Sequence, residues 1–258
     1  MSTFLTLAVT LRRSPWREHD RHYTFYSPTH GKFTAVSRGA RKVQSKLAGH
    51  LEPFAVSEVM VAPSVRGRNS QLGASRTVQS LPNLRSDLLR IQLGSYCLEV
   101  VDRLTELQRP DARIFDLLIE VFDLLNSYQF KSESISSLNL LVHSFTLKLL
   151  DMAGYRPELS VCAVCRKAIV GTKNIFFSDL AGAVCQDCKT DMQPTTKVHQ
   201  QALIVMTECL DQPFLTMLDQ NISPAITKEI SVVVDSFYQH QTESKLQTKL
   251  NLEIAVSA

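Results

Sequence analysis

Two cysteine pairs constrain this chain more than any other feature: Cys162-Ala-Val-Cys165 and, after nineteen intervening residues, Cys185-Gln-Asp-Cys188. Each pair offers two sulfurs to one side of a tetrahedron, and a loop of that length lets the pairs meet, the spacing of four-thiolate zinc sites. Disulfides would need an oxidising compartment, yet the apolar run Phe4 to Leu11 precedes Arg12 and Arg13, the reverse of a secretory signal's charge order. A thioredoxin-like redox pair would sit near a βαβ pattern, which is not found, and would not require a second pair. The expectation is one zinc ion held by Cys162, Cys165, Cys185 and Cys188. Four thiolates close the coordination shell, so the metal folds the segment rather than catalyses, contributing on the order of 10 kcal/mol where little core is buried. Cys97 and Cys209 lie in apolar helical contexts and read as packing residues.

A chain of 258 residues suits one large domain or two smaller ones. No apolar run approaches the roughly 18 residues of a membrane span, so a soluble, cytoplasmic protein with no membrane partner is expected. The net charge of +3 hides a division: residues 1–85 carry 13 Lys or Arg against 4 Asp or Glu, a net of +9, and the remainder 15 against 21, a net of −6. Such polarity points to a first domain that meets a polyanion and a second that folds, docks or recruits.

In the basic part, Leu5, Leu7, Val9 and Leu11 alternate with Thr6, Ala8, Thr10 and Arg12, the period of a half-buried strand. A second strand fits Arg21 to Ser27, with Tyr23 and Phe25 on one face and His22, Thr24 and Tyr26 on the other. Pro28-Thr29-His30-Gly31 turns the chain into a third, Lys32 to Arg38. Phe54 to Val61 alternates again, and Arg76 to Gln79 reads as a short fifth strand after a loop from Pro63 to Ser75. Five short strands in about 80 residues match an OB-type barrel, though periodicity alone also allows an SH3-like one.

Between the third and fourth strands, Arg38, Arg41, Lys42 and Lys46 fall within nine residues that contain no acid. They cannot neutralise one another and need solvent or an anion. Arg12, Arg13, Arg17, Arg21 and Lys32 lie nearby, with Trp16, Tyr23, Phe25 and Tyr26 as candidate exposed aromatics, half of which must face a core. Cations that track phosphates beside rings that stack bases are what single-stranded nucleic acid requires. His19, His22, His30 and His50 have no ligand-like spacing and read as surface or turn residues.

Past Pro82-Asn83 the period changes to a helical one. Leu84, Leu88, Ile91, Tyr96, Val100, Val101, Leu104 and Leu107 mark a first helix capped by Asn83. Ile114, Leu117, Leu118, Val121, Phe122 and Leu125 mark a second after Pro110. A third, capped by Ser134, buries Leu138, Leu141, Val142, Phe145, Leu149 and Met152 and stops at Gly154. Within the cysteine module, Ala168 to Val170 and Asn174 to Ser178 flank Gly171-Thr172-Lys173 as a small metal-clamped sheet. Val198 to Leu210 and Pro224 to Tyr238 are further helices, and Gln239 to Leu250 is a polar tail. The expected fold is multidomain α+β: an OB-type barrel over residues 1–81, then a helical bundle over 82–258 with an inserted zinc module at 160–190.

Several blocks resemble the bacterial recombination mediators of the RecO family. They are the opening strand, Glu18-His19-Asp20-Arg21, His30-Gly31-Lys32, Arg38-Gly39-Ala40-Arg41, Gly49-His50-Leu51-Glu52-Pro53-Phe54 and the two cysteine pairs, in that family's order and spacing. Pro63 to Ser75 is longer than the family pattern leads one to expect. The resemblance implies a DNA-binding OB domain followed by a helical domain with a zinc module, and a role in DNA repair without enzymatic activity. It also implies binding of single- and double-stranded DNA, strand annealing, interaction with RecR and the single-stranded-DNA-binding protein, a functional link to RecA, and residence at the nucleoid. The alternative reading of the residues is a zinc-ribbon scaffold or transcription factor whose basic domain meets an acidic protein or specific DNA.

Overall fold

The computed structural model describes residues 2–42, 48–64, 69–86, 88–129, 135–169, 174–192, 194–243 and 246–248. The alternating segment at the start becomes β1 (Phe4–Pro15), followed by β2 (Arg21–Ser27), β3 (Gly31–Ser37), β4 (Ala55–Ala62) and β5 (Gln71–Ser80). They close into a barrel in the order β1-β2-β3-β5-β4, with β4 returning to β1. β1 serves two neighbours because it is long: Phe4 to Val9 pair with β4, and Val9 to Pro15 pair with β2, across an irregularity between Thr10 and Arg12 that bends the strand. The β3–β5 contact is parallel and short, Val36 opposite Gln71. This is the OB arrangement. Tyr23, Phe25, Phe33, Val59, Val61 and Leu72 fill the interior.

The fifth strand is longer than its sequence implies. It begins at Gln71, inside the stretch expected to be loop, because backbone pairing to β4 continues through Ala74 and Ser75 although their side chains bury little.

The first helical residues join the barrel in one compact unit, residues 1–128. The expected first helix is trimmed at both ends. Leu84 lies in a 3-10 turn, Pro82–Arg85, and α1 runs Leu88–Leu104 with Ile91 exposed. Asn83 does not cap it; its side chain donates to the Asn126 carbonyl of α2 (Ala112–Ser127) and its N–H donates to Asn126 Oδ1. Asp111 caps α2 instead, accepting from Arg113 N at 3.0 Å. Leu107 lies beside Lys32 in a parallel bridge, and the next N–H, of Gln108, donates to the Lys32 carbonyl at 2.8 Å. Phe54, at φ 61° and buried, packs edge-on to Phe122 of α2, while Gly94 leaves its ring room on α1. A bulky residue in the left-handed region is costly, and this packing holds it there.

The second unit begins at Gln129. Its central helix, α3 (Ile135–Met152), buries Leu138, Leu141, Val142, Phe145 and Leu149 as the periodicity implies, and also Leu140, Leu147 and Leu150, so it is covered nearly all round. Ser134, the expected cap, lies outside the described residues. Gly154 N donates to Asp151 O and Tyr155 N to Leu150 O, a Schellman ending. Around it pack α4 (Gln200–Asp211), the short α5 (Phe214–Leu218) and α6 (Pro224–Thr242), the last capped by Ser223. No described helix is long and apolar enough to cross a membrane.

Candidate metal centre and nucleic-acid interface

The module's sheet does not pair Ala168 to Val170 with Asn174 to Ser178 as the sequence implies. β6 (Ile175–Ser178) lies between β7 (Gly182–Cys185) and β8 (Thr195–Val198), and Ala168 instead bridges back to Val161. Thr195-Thr196-Lys197-Val198 carries no apolar alternation to mark a strand, and Val198, expected to open a helix, ends β8 instead, with the helix beginning at Gln200. The Val161–Ala168 bridge closes a tight knuckle around the first cysteine pair: Cys162 N donates to Lys167 O at 2.8 Å and Arg166 N to Cys162 O at 2.9 Å. Arg166 takes φ 62°, and its guanidinium reaches Glu158 at 3.3 Å. Glu158 also accepts from Ser160 and Val161, tying down the strand that enters the knuckle. Gly182 lets β7 pass this strand at φ 115°; a Cβ there would lie 2.2 Å from Glu158 O.

The result brings Cys162, Cys165, Cys185 and Cys188 together, their sulfurs all within 4.8 Å of one another. Cys165 Sγ lies 3.8 Å from Cys185 Sγ. A tetrahedron with metal–sulfur bonds of about 2.3 Å has edges of about 3.8 Å, so the donor set fits a single ion. Burial opposes the Cys162 thiolate, but main-chain N–H groups of Cys165, Cys185 and Val164 bring its pKa down to about 6. Desolvation and the neighbouring Cys185 and Cys165 push Cys188 up to about 12. Sulfurs this close repel as thiolates, and a divalent cation among them removes the repulsion. Cys97 and Cys209 are buried away from the cluster.

At one end of the barrel, two connections are pinned together. Trp16 N donates to Asp20 O at 3.1 Å, closing the β1–β2 turn. Asp20 Oδ1 then accepts from Gly39 N at 2.9 Å, and His19 O from Arg41 N at 3.0 Å. The stretch after β3 therefore sits against residues 16–20. Arg17, Arg38, Arg41 and Lys42 are exposed and Arg21 half-buried, and among the described residues none of the five is ion-paired. Lys46 lies outside the described residues. Asp20 is the organising residue that charge counting overlooked, although it stands in one of the sequence blocks noted above.

The other candidate cations are engaged within the protein. Lys32 Nζ lies 3.6 Å from Asp102 Oδ1, both side chains nearly buried, and Arg12 Nε lies 3.3 Å from Asp102 Oδ2. Burial pulls the Lys32 ammonium below the ordinary lysine value, against the opposing effect of Asp102. Arg13 pairs with Glu52 at 2.8 Å. The aromatic candidates divide similarly. Tyr23 and Phe25 are in the barrel core, and Tyr26 is buried with its hydroxyl donating to Asp111 O at 3.1 Å; its pKa rises to about 12 through burial. Both faces of β2 are thus covered, which alternation could not reveal, and of the four only Trp16 is exposed. His22 packs against Trp16, His30 stacks on Phe4, and His50 bonds Thr77.

Family models described as Recombination protein O N terminal and Recombination protein O C terminal match residues 1–80 and 85–250. Curated proteins named DNA repair protein RecO are similar over most of the chain. That of Roseiflexus sp. (strain RS-1) is 32% identical over 241 residues, 93% of this chain and 81% of that protein. That of Dehalococcoides mccartyi (strain ATCC BAA-2266 / KCTC 15142 / 195) is 32% identical over 232 residues, 90% and 87% of the two chains. That of Desulforamulus reducens is 29% identical over 243 residues, 93% and 90%. With both family models matched in order, across the barrel and the four-cysteine module, the chain belongs to the RecO family of DNA repair and recombination proteins.

Proposed function

We propose that this chain is a non-enzymatic recombination mediator that binds single- and double-stranded DNA without sequence preference and anneals complementary strands. Working with RecR, it would help load RecA onto DNA coated by single-stranded-DNA-binding protein in the bacterial cytoplasm. The observation that carries the reading is the pinned end of the barrel, where the five cations Arg17, Arg21, Arg38, Arg41 and Lys42 outnumber the carboxylates of Glu18 and Asp20 and, among the described residues, none of the five is ion-paired. Cations left unneutralised on a barrel end favour a polyanion, and phosphates are the polyanion that DNA repair supplies. Lys46 continues the same run in sequence. Arg12, Arg13 and Lys32, engaged by Asp102 and Glu52, play a supporting part by shaping the barrel. The four-cysteine site holds zinc, which stabilises the module and leaves no open position for catalysis. In annealing, the cations lower repulsion between two phosphate backbones as complementary strands meet.

The test is binding of the full chain to fluorescent oligonucleotides of unrelated sequence across a salt series, with annealing followed in parallel. Sequence-blind binding that weakens steeply with salt, and faster annealing, are expected. Discrimination among sequences by several kcal/mol would favour a transcription factor instead. No binding at low salt would mean that the basic barrel serves a protein partner.

A further inference from the structure

The mediator reading assigns the phosphates to cations and leaves open how the barrel tells a single strand from a duplex. We propose that Trp16 is the base-stacking platform of the barrel, taking an unpaired nucleobase while the neighbouring arginines hold the flanking phosphates. This inference rests on the DNA-binding reading and deepens it.

Four observations converge on the indole. Trp16 is 50% exposed, and among the described residues of the barrel no other Phe, Tyr or Trp is classed as exposed. An exposed tryptophan is costly to leave in water and gains from a flat apolar partner. Its place is fixed as well: the Trp16 main-chain N–H donates to Asp20 O, which sets the backbone of the turn, and His22 packs against the indole at 5.6 Å between centroids, tilted by 36°. Burial and the nearby Arg12 lower the His22 pKa, which keeps that supporting ring neutral at pH 7. Finally, Trp16 sits among the unpaired cations. Arg17 follows it, Arg21 closes the same connection, and Arg41 donates from its backbone to His19 in the same turn. A held aromatic ring amid unneutralised arginines is the pairing by which single strands are bound without reading sequence. In a duplex the bases are already stacked and paired, so the indole adds affinity only for a single strand.

Trp16 is also the sole tryptophan of the chain, so its fluorescence reports on this position alone. The full-length protein is titrated with dye-labelled oligothymidylate, with an abasic oligomer of equal length and with duplex. Dye anisotropy reads binding, and tryptophan emission reads stacking. Oligothymidylate should quench the emission in step with the anisotropy, whereas the abasic strand and the duplex should bind with little quenching. Trp16→Ala should weaken oligothymidylate binding about 5- to 150-fold, the range for one lost stack. It should leave the slope of log affinity against log salt unchanged, since no phosphate contact is lost. Trp16→Phe should recover most of the affinity. Binding of oligothymidylate without quenching, or equal losses by Trp16→Ala on single strand and duplex, would overturn the stacking role while leaving DNA binding intact. Absence of any anisotropy change at low salt would overturn the DNA-binding reading, and the platform with it.

Discussion

The cysteine knuckle and the pinned end of the barrel are built alike from opposite chemistry, metal-ligating thiols in one and cations in the other. Each is a pair of chain segments held by a few main-chain hydrogen bonds: Cys162 N to Lys167 O in one, Arg41 N to His19 O in the other. The knuckle gathers four sulfurs within 4.8 Å, and the barrel end gathers arginines with no acid paired to them. A folded chain tolerates concentrated like charge only when something complements it. At the knuckle the complement would be a single cation seated among the four sulfurs, which lie within 4.8 Å of one another. At the barrel end Arg17, Arg38, Arg41 and Lys42 are exposed, so solvent or an anion from outside the chain can complement them.

The largest effect should follow from removing the knuckle's complement. A strong zinc chelator, or Cys165→Ser with Cys188→Ser, should unfold residues 158–198, with a loss approaching roughly 10 kcal/mol of metal-linked stability. Thermal denaturation and limited proteolysis with and without added zinc would measure it. A chelated protein as stable and protease-resistant as the loaded one would mean that the thiolates need no metal, and the comparison would collapse. At the barrel end, Arg38→Glu with Arg41→Glu should flatten the log-log salt dependence of single-strand binding by about 1.4, twice the value per phosphate contact. Thermal stability should stay within about 0.5 kcal/mol, as for exposed substitutions. Unchanged affinity would show that these arginines do not meet DNA.

How much of this could be read without coordinates depends on whether the determining contact is local. The four cysteines were legible because their ligand spacing is itself local. The first four strands were legible from their alternation, although in β1 the buried face was not, since Leu5 and Leu7 are exposed while Thr6 and Ala8 are buried; α3 was legible because its apolar residues recur with the helical period. β5 was hidden at its start, since Ala74 and Ser75 pair through backbone and bury little, and Gly73 is skipped where the register shifts. The set of cations without an ion pair was only partly legible. Lys32 and Arg41 look equivalent in sequence, yet Asp102, seventy residues beyond Lys32, takes one and leaves the other. The pinning of Arg41 depends on His19 and Asp20 across a strand pair, and the burial of Tyr26 on Asp111 from the α1–α2 connection. Counting charges finds the polarity of the chain, and only the fold divides the cations into those already answered and those still open.

Asp102 tests that division from the inside. Asp102→Ala leaves the nearly buried Lys32 ammonium without its counter-charge and frees Arg12, so a loss of about 1–3 kcal/mol in stability is expected, read by urea denaturation. Replacing both partners, Lys32→Met with Asp102→Leu, should recover much of the loss, because neither charge is then stranded. Neither variant should flatten the salt dependence of DNA binding. A Lys32→Ala variant that flattened it by about 0.7 at no cost in stability would move Lys32 from the scaffold to the phosphate-binding set.

The smallest change falls where the two classes of cation meet. Arg13 lies on the strand that leads to Trp16, and its guanidinium is held by Glu52, both side chains about one-third exposed. Pairs so open to solvent contribute little, so Glu52→Gln should alter stability by at most about 1 kcal/mol. Its effect on binding has the opposite sign to that of Arg38→Glu with Arg41→Glu. With its counter-charge gone, Arg13 becomes available to a phosphate, and removing an acid beside the basic end lowers repulsion toward DNA. Single-strand affinity should rise at low salt, and the log-log slope should steepen by up to about 0.7. A steeper slope would show that the paired cations are a reserve for the same surface. An unchanged slope with unchanged stability would place Arg13 outside the path of the strand and confine the DNA contact to the end where residues 16–20 meet 38–42.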